Sequence, residues 1–141
     1  MSKHHQYFWL CLWPLLAGAC VSRDRNVSRV SILYMSTSIE TIISVSCEHF
    51  DVNLAKDSLI KMENFSDNSQ IHHFMSALRE YTSPPLVNHL DVRAKAFIYY
   101  STGKISSVCV DQFGDFELDG KYLGVSKPLL MFIQENCNGF K

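Results

Sequence analysis

The sequence predicts an α+β fold: a mostly antiparallel sheet of about five strands with two helices packed on one face. Three observations carry this. Short runs rich in β-branched and aromatic residues are separated by turn residues. Two segments instead repeat apolar residues every three or four positions. The strands come in runs with a helix after each, giving the order ββ(β)αβββα, which suits helices laid on an antiparallel sheet.

Residues 29–36 (RVSILYMS) alternate Val30, Ile32 and Tyr34 with Ser31, Leu33 and Met35. Both faces are largely apolar, as in a central strand. Residues 40–46 (ETIISVS) form a second β-branched run, and 58–63 (SLIKME) a short third one. The spacing of Ile71, Phe74, Met75, Leu78 and Tyr81 predicts a helix over 67–82. Ser66 or Asp67 caps its start, and Pro84-Pro85 stops it.

Residues 92–100 (VRAKAFIYY) place Val92, Ala94, Ala96 and Ile98 on one face and Arg93, Lys95, Phe97 and Tyr99 on the other. Ser101-Thr102-Gly103 turns the chain into 104–110. A turn around Gly114 leads to a short strand at 116–118. Asp119-Gly120 is the strongest hairpin signal in the chain and leads into 122–125. Ser126 caps a last helix with Pro128 in its first turn, where a missing N–H costs little.

The chain has 141 residues, 47% apolar and 19% charged, which suits a single globular domain. Ahead of it, residues 1–6 carry Lys3, residues 7–16 (YFWLCLWPLL) are apolar, and Ala17-Gly18-Ala19 are small. This is the layout of a secretory signal. The apolar run is shorter than the about 20 residues a membrane-spanning helix needs. The organisation read from the sequence is a signal peptide at 1–19, a flexible tether at 20–28 and one domain at 29–141. The mature part carries twelve basic and fourteen acidic side chains. That balance gives no basic surface for nucleic acid.

Two processing routes fit. Ala17-x-Ala19 suits an ordinary signal peptidase cutting before Cys20. The string Leu15-Leu16-Ala17-Gly18-Ala19-Cys20 also resembles the lipobox of bacterial lipoproteins, with Ala17 where that family prefers Leu. The resemblance implies that Cys20 becomes the acylated N-terminus. The protein would then be held at the membrane, facing the periplasm or the cell surface. Two or more acyl chains hold a protein stably where one does not.

Export places the remaining cysteines in an oxidising compartment. With Cys20 acylated, Cys47, Cys109 and Cys137 allow one disulfide. Without acylation, four cysteines allow two, in three connectivities. Spacing does not choose between partners; the expected bridge is Cys47–Cys137. The alternative is that all three are small buried hydrophobes.

His72 and His73 lie about 100° apart on a helix and cannot readily share an ion. Cys47-Glu48-His49 puts a thiol near an imidazole, but the base of a nucleophilic cysteine normally comes from far along the chain. Asp111, Asp115, Glu117 and Asp119 fail the calcium-loop pattern, because Phe113 and Tyr122 stand at ligand positions. No motif implies a catalytic centre, a metal or a cofactor. Phe97, Tyr99, Phe113, Phe116 and Tyr122 lie in the richest aromatic zone. They form either sheet core or an exposed binding patch.

The expectation is a lipid-anchored envelope protein that binds another protein without catalysis, for example as an immunity or inhibitor module. Its partners would be the membrane, through Cys20, and another envelope protein. Two alternatives stand beside it. One is a small secreted enzyme using Cys47 or a His/Asp pair; the other is a structural subunit of an envelope complex.

Overall fold

The computed structural model describes residues 26–40, 43–50, 59–83 and 90–140. The signal segment, Cys20 and Pro84-Pro85 lie outside the described residues. Among the described residues the fold is α+β, with two helices packed against a six-stranded antiparallel sheet. The strands are β1 (Val27–Tyr34), β2 (Lys61–Phe65), β3 (Val92–Tyr100), β4 (Ile105–Asp111), β5 (Asp115–Leu118) and β6 (Lys121–Val125). The helices are α1 (Asn68–Ala77) and α2 (Lys127–Asn136). The sheet order is β2-β1-β3-β4-β5-β6.

Register explains the faces. Glu63, Ile32, Ala96, Val108 and Leu118 form one cross-strand row, and Lys61, Tyr34, Ala94, Val110 and Phe116 the next. These rows face the helices. Ile71, Phe74 and Met75 of α1 and Leu129, Phe132 and Ile133 of α2 close the core over them. Phe132 lies at its centre, edge-on to Phe65, Phe74 and His73 with centroids 5.3–5.5 Å away. Such edge-to-face pairs add about 0.5–1.5 kcal/mol each beyond the area they bury.

Several boundaries differ from the sequence reading, each for a physical reason. The tether's last residues belong to the sheet: β1 starts at Val27, which is buried and pairs with Tyr100. Glu40 and residues 43–46 form no strand, because β2 and β3 already occupy both edges of β1. The third run pairs later than expected, at Lys61–Phe65.

Helix α1 ends at Ala77 rather than Thr82. Thr82 instead exchanges two backbone hydrogen bonds with Val125, which draws the chain out of the helix. Val92 leaves the face of Ala94 and Ala96 through a register shift and packs in a second apolar cluster.

Caps and turns follow the sequence signals. Asp67 accepts N–H bonds from Ser69 and Gln70 at the start of α1. Ser126 accepts one from Leu129 at the start of α2. Asp119 and Gly120 both have positive φ, which the tight β5–β6 hairpin requires. Gly114 has φ +91, and a Cβ there would lie 3.1 Å from the Ser126 carbonyl. That close approach is where the β4–β5 turn passes under α2.

Candidate functional site: the outer face of the sheet

The face turned away from the helices carries different chemistry. Its rows are Arg29, Tyr99 and Ile105; Asn64, Ser31, Phe97 and Ser107; and Met62, Leu33, Lys95, Cys109 and Glu117. Residues 35–40 and 43–50 form a strap that lies over part of this face. Its Met35 and Phe50 are fully buried against Val92 and Cys109.

The strap is fixed by polar anchors as well as apolar contact. Arg93, 5% exposed, donates to the Ile39 carbonyl at 2.6 Å and pairs with Asp91 at 2.6 Å. The other Asp91 oxygen accepts the Val45 N–H, and the Val45 carbonyl accepts the Val92 N–H. Lys95, 7% exposed, donates to the Cys47 carbonyl at 2.9 Å. Two cations facing out of a sheet are thus buried under a loop whose carbonyls they satisfy, which offsets the cost of taking them from water.

A disulfide completes the attachment. Cys47 of the strap is bonded to Cys109 of β4, with Cα atoms 5.7 Å apart. This corrects the Cys47–Cys137 pairing. Cys137 closes α2 as a buried free thiol on the helical side of the sheet, in the main core. Cys47 lies on the opposite face, so the sheet separates the two. The bridge fits an exported protein, since disulfides persist in oxidising compartments.

The bridge also decides the fate of other candidates. Cys47, Cys109 and the Glu117 carboxylate lie together, but the two sulfurs are bonded to each other. No thiolate is left there to bind a metal or attack a substrate. His49 is engaged with the Ser46 hydroxyl at 2.8 Å. His72 and His73 are exposed on α1, and His73 lies edge-on to Phe132. Burial raises the Glu117 pKa, an effect that the Lys95 charge opposes. Asp111 is a turn residue: it accepts N–H bonds from Phe113 and Asp115 at 2.8 and 2.9 Å.

Beyond the strap, the β2-β1-β3 part of this face bears a shallow hollow of about 410 Å³. It is lined by Arg29, Leu33, Met62, Asn64, Phe97 and Tyr99, among others. Arg29 lies over the Tyr99 ring, 4.1 Å from its centroid, and Lys95 lies 5.3 Å from that of Phe97. Ser31 donates to the Asn64 side chain at 2.6 Å. Met62 is 58% exposed.

The five aromatics expected to form a patch are divided. Phe97 and Tyr99 share the hollow. Phe116 is fully buried in the core, in the row of Ala94 and Val110. Phe113 is exposed at the β4–β5 turn, beyond the start of β3. Tyr122 lies on β6, opposite Glu117, with its hydroxyl bonded to Asp115. Arg29, Leu33 and Met62 were not anticipated. Their signal is the alternation of Arg29, Ser31 and Leu33 along β1, which becomes readable once β3 is known to pair with it.

Comparison with known proteins finds no matching family model, no matching curated protein and no matching solved structure.

Proposed function

We propose that this is an exported, non-catalytic binding protein, lipid-anchored through Cys20, that engages an envelope partner with the open part of its outer sheet face. One observation carries the reading. The strap and its disulfide cover that face around Arg93, Lys95 and Cys109, while the adjoining strip of exposed Arg29 and Met62 with half-buried Phe97 and Tyr99 stays uncovered by it.

Exposed apolar strips with a polar rim usually have a purpose. Aromatic and Arg side chains supply much of the energy of protein interfaces. Here the aromatics are held rigid on a sheet, so little side-chain freedom is lost on docking. An inhibitor or immunity module would use such a surface.

Site-specific photo-crosslinking in intact cells tests the reading. A photoreactive residue at Tyr99 or Phe97 is expected to trap a discrete larger species. The same residue at Met131, exposed on α2 on the other side of the sheet, is expected to trap none. Equal trapping from both faces, or none from the strip, would overturn it.

A further inference from the structure

Strand β2 is the last strand of the sheet among the described residues, and there it pairs with β1 alone. Its far side presents a row of backbone N–H and C=O groups with which another strand can pair. Charge on an edge strand usually keeps copies apart. Here the order of the charges does the opposite.

Lys61-Met62-Glu63 places a cation, an apolar group and an anion at successive positions. Lys61 and Glu63 lie on the helical face, in the rows of Tyr34 and Ile32. Lys61 donates to the Asn138 carbonyl at 3.3 Å. Glu63 stands near the Cys137 thiol, a group kept neutral by burial first and by that carboxylate second. Neither Lys61 nor Glu63 forms an ion pair among the described residues. Met62 lies between them on the outer face and is 58% exposed.

Two identical edges that pair antiparallel are related by a two-fold axis normal to the sheet, and residues directly opposite lie on the same face. The side chains then select the register. Centring the axis on Lys61 sets lysine against lysine, and centring it on Glu63 sets glutamate against glutamate. Centring it on Met62 sets Lys61 of each copy against Glu63 of the other, and Met62 against Met62. Opposite charges directly across two strands attract, and like charges repel.

We propose that β2 is a self-pairing edge, through which two copies of this chain join antiparallel in the register centred on Met62. The two six-stranded sheets become one, with both outer faces on the same side. Met62 is the edge member of the open strip, so the strips of the two copies meet at the axis. The pairing is independent of the lipid anchor and of any partner held by the strip.

The test uses the full chain carrying Cys20→Ser, purified from the exported fraction, in sedimentation equilibrium up to about 1 mM. A monomer–dimer equilibrium is expected. Lys61→Glu and Glu63→Lys each set like charges across the axis twice, and each should weaken the dimer by at least about tenfold. Mixed in equal amounts, the two variants should recover a dimer holding one copy of each, because every facing pair is then opposite in charge. Met62→Cys supplies a readout that leaves both charges in place. It should close a disulfide between copies in air, whereas Ile105→Cys, at a similarly exposed site on β4, should not. A monomer throughout, a dimer that both charge variants leave intact, a mixture that stays monomeric, or equal bridging from Ile105→Cys would overturn the proposal.

Discussion

Lys95 donates to the Cys47 carbonyl at 2.9 Å, and Cys109, its paired residue across β3 and β4, holds the same Cys47 by a disulfide. One strap residue is thus fastened to two neighbouring sheet positions, once by charge and once covalently. The two attachments should differ in weight. The bridge spans 62 residues of sequence. Closing a loop of that size in the unfolded chain is worth about 4 kcal/mol in the chain-entropy treatment. The hydrogen bond from Lys95 is worth about 1–3 kcal/mol.

Replacing both Cys47 and Cys109 by Ala should therefore lower the urea midpoint strongly, with the sheet still folded because the main core does not use the strap. Lys95→Met should lower it less, and the two losses should not add, since they act on one segment. Circular dichroism across a urea series measures both. A midpoint unchanged by loss of the bridge would show that the strap contributes nothing to stability.

The buried hydroxyl of Ser126 supports a second prediction. It accepts the Leu129 N–H at 3.1 Å and donates to the Ala77 carbonyl at 2.8 Å. One side chain thus caps the start of α2 and satisfies a carbonyl at the end of α1. Ser126→Ala leaves the Leu129 N–H unpaired in a site with no access to water and leaves the Ala77 carbonyl only the longer bond from the Glu80 N–H, 3.3 Å, at a cost of about 2 kcal/mol. Denaturant unfolding gives the loss, and hydrogen exchange at Leu129 should quicken with it. A change below about 0.5 kcal/mol, the range of neutral surface substitutions, would mean that water or a shifted helix replaces the bond.

The fold was legible where local chemistry and tertiary pairing agree. Asp119-Gly120 forms the hairpin it encodes, Ser126 and Asp67 cap helices as their positions suggest, and Val30, Ile32 and Tyr34 face the core. It was illegible where a partner distant in sequence decides. Residues 40–46 have the composition of a strand, yet β1 already has a neighbour on each side. Thr82 closes the span predicted as helix but pairs with Val125. Half of the aromatic site could be read from β3 alone. Arg29 and Met62 required the register of β1 and β2, and Phe116 was placed with Phe97 although the alternation of paired strands puts them on opposite faces. The disulfide depended on that same register, because only the outer-face position of Cys109 brings it to Cys47.

Asp111 sets a pH dependence of unusual sign. Burial raises its pKa, and the charge of Asp115 adds to this, while the N–H groups of Phe113, Asp115 and Gly114 oppose it. A carboxyl group that holds its proton more tightly when folded makes the native state bind more protons than the unfolded chain. Its contribution to stability is then greatest below the ordinary Asp value of about 3.9 and is lost as pH rises through the raised folded value. Asp111→Asn keeps an oxygen to accept both N–H bonds and removes the charge. The variant should be more stable than the parent at neutral pH, and the difference should vanish in acid. Unfolding midpoints across pH measure this. A variant less stable at neutral pH would show that the ionised carboxylate is needed to hold the turn.

The cysteines offer a final test that separates anchor from fold. Cys137 is fully buried, and burial, followed by the charge of Glu63, pushes its pKa to about 12. In the native protein it should resist alkylation at about pH 8, where an exposed thiol of ordinary pKa, about 8.5, reacts. Denatured without reductant, the Cys47–Cys109 bridge stays closed and Cys137 becomes reactive. If Cys20 carries acyl chains, alkylation then adds one group, and intact mass shows a start at Cys20 with the added lipid. If export ends in ordinary cleavage, Cys20 is a second free thiol, two groups are added and the lipid mass is missing. That second result would overturn the lipid anchor while leaving the outer-face binding reading intact. Modification of Cys47 or Cys109 before reduction would overturn the bridge, and with it the strap that defines the open strip.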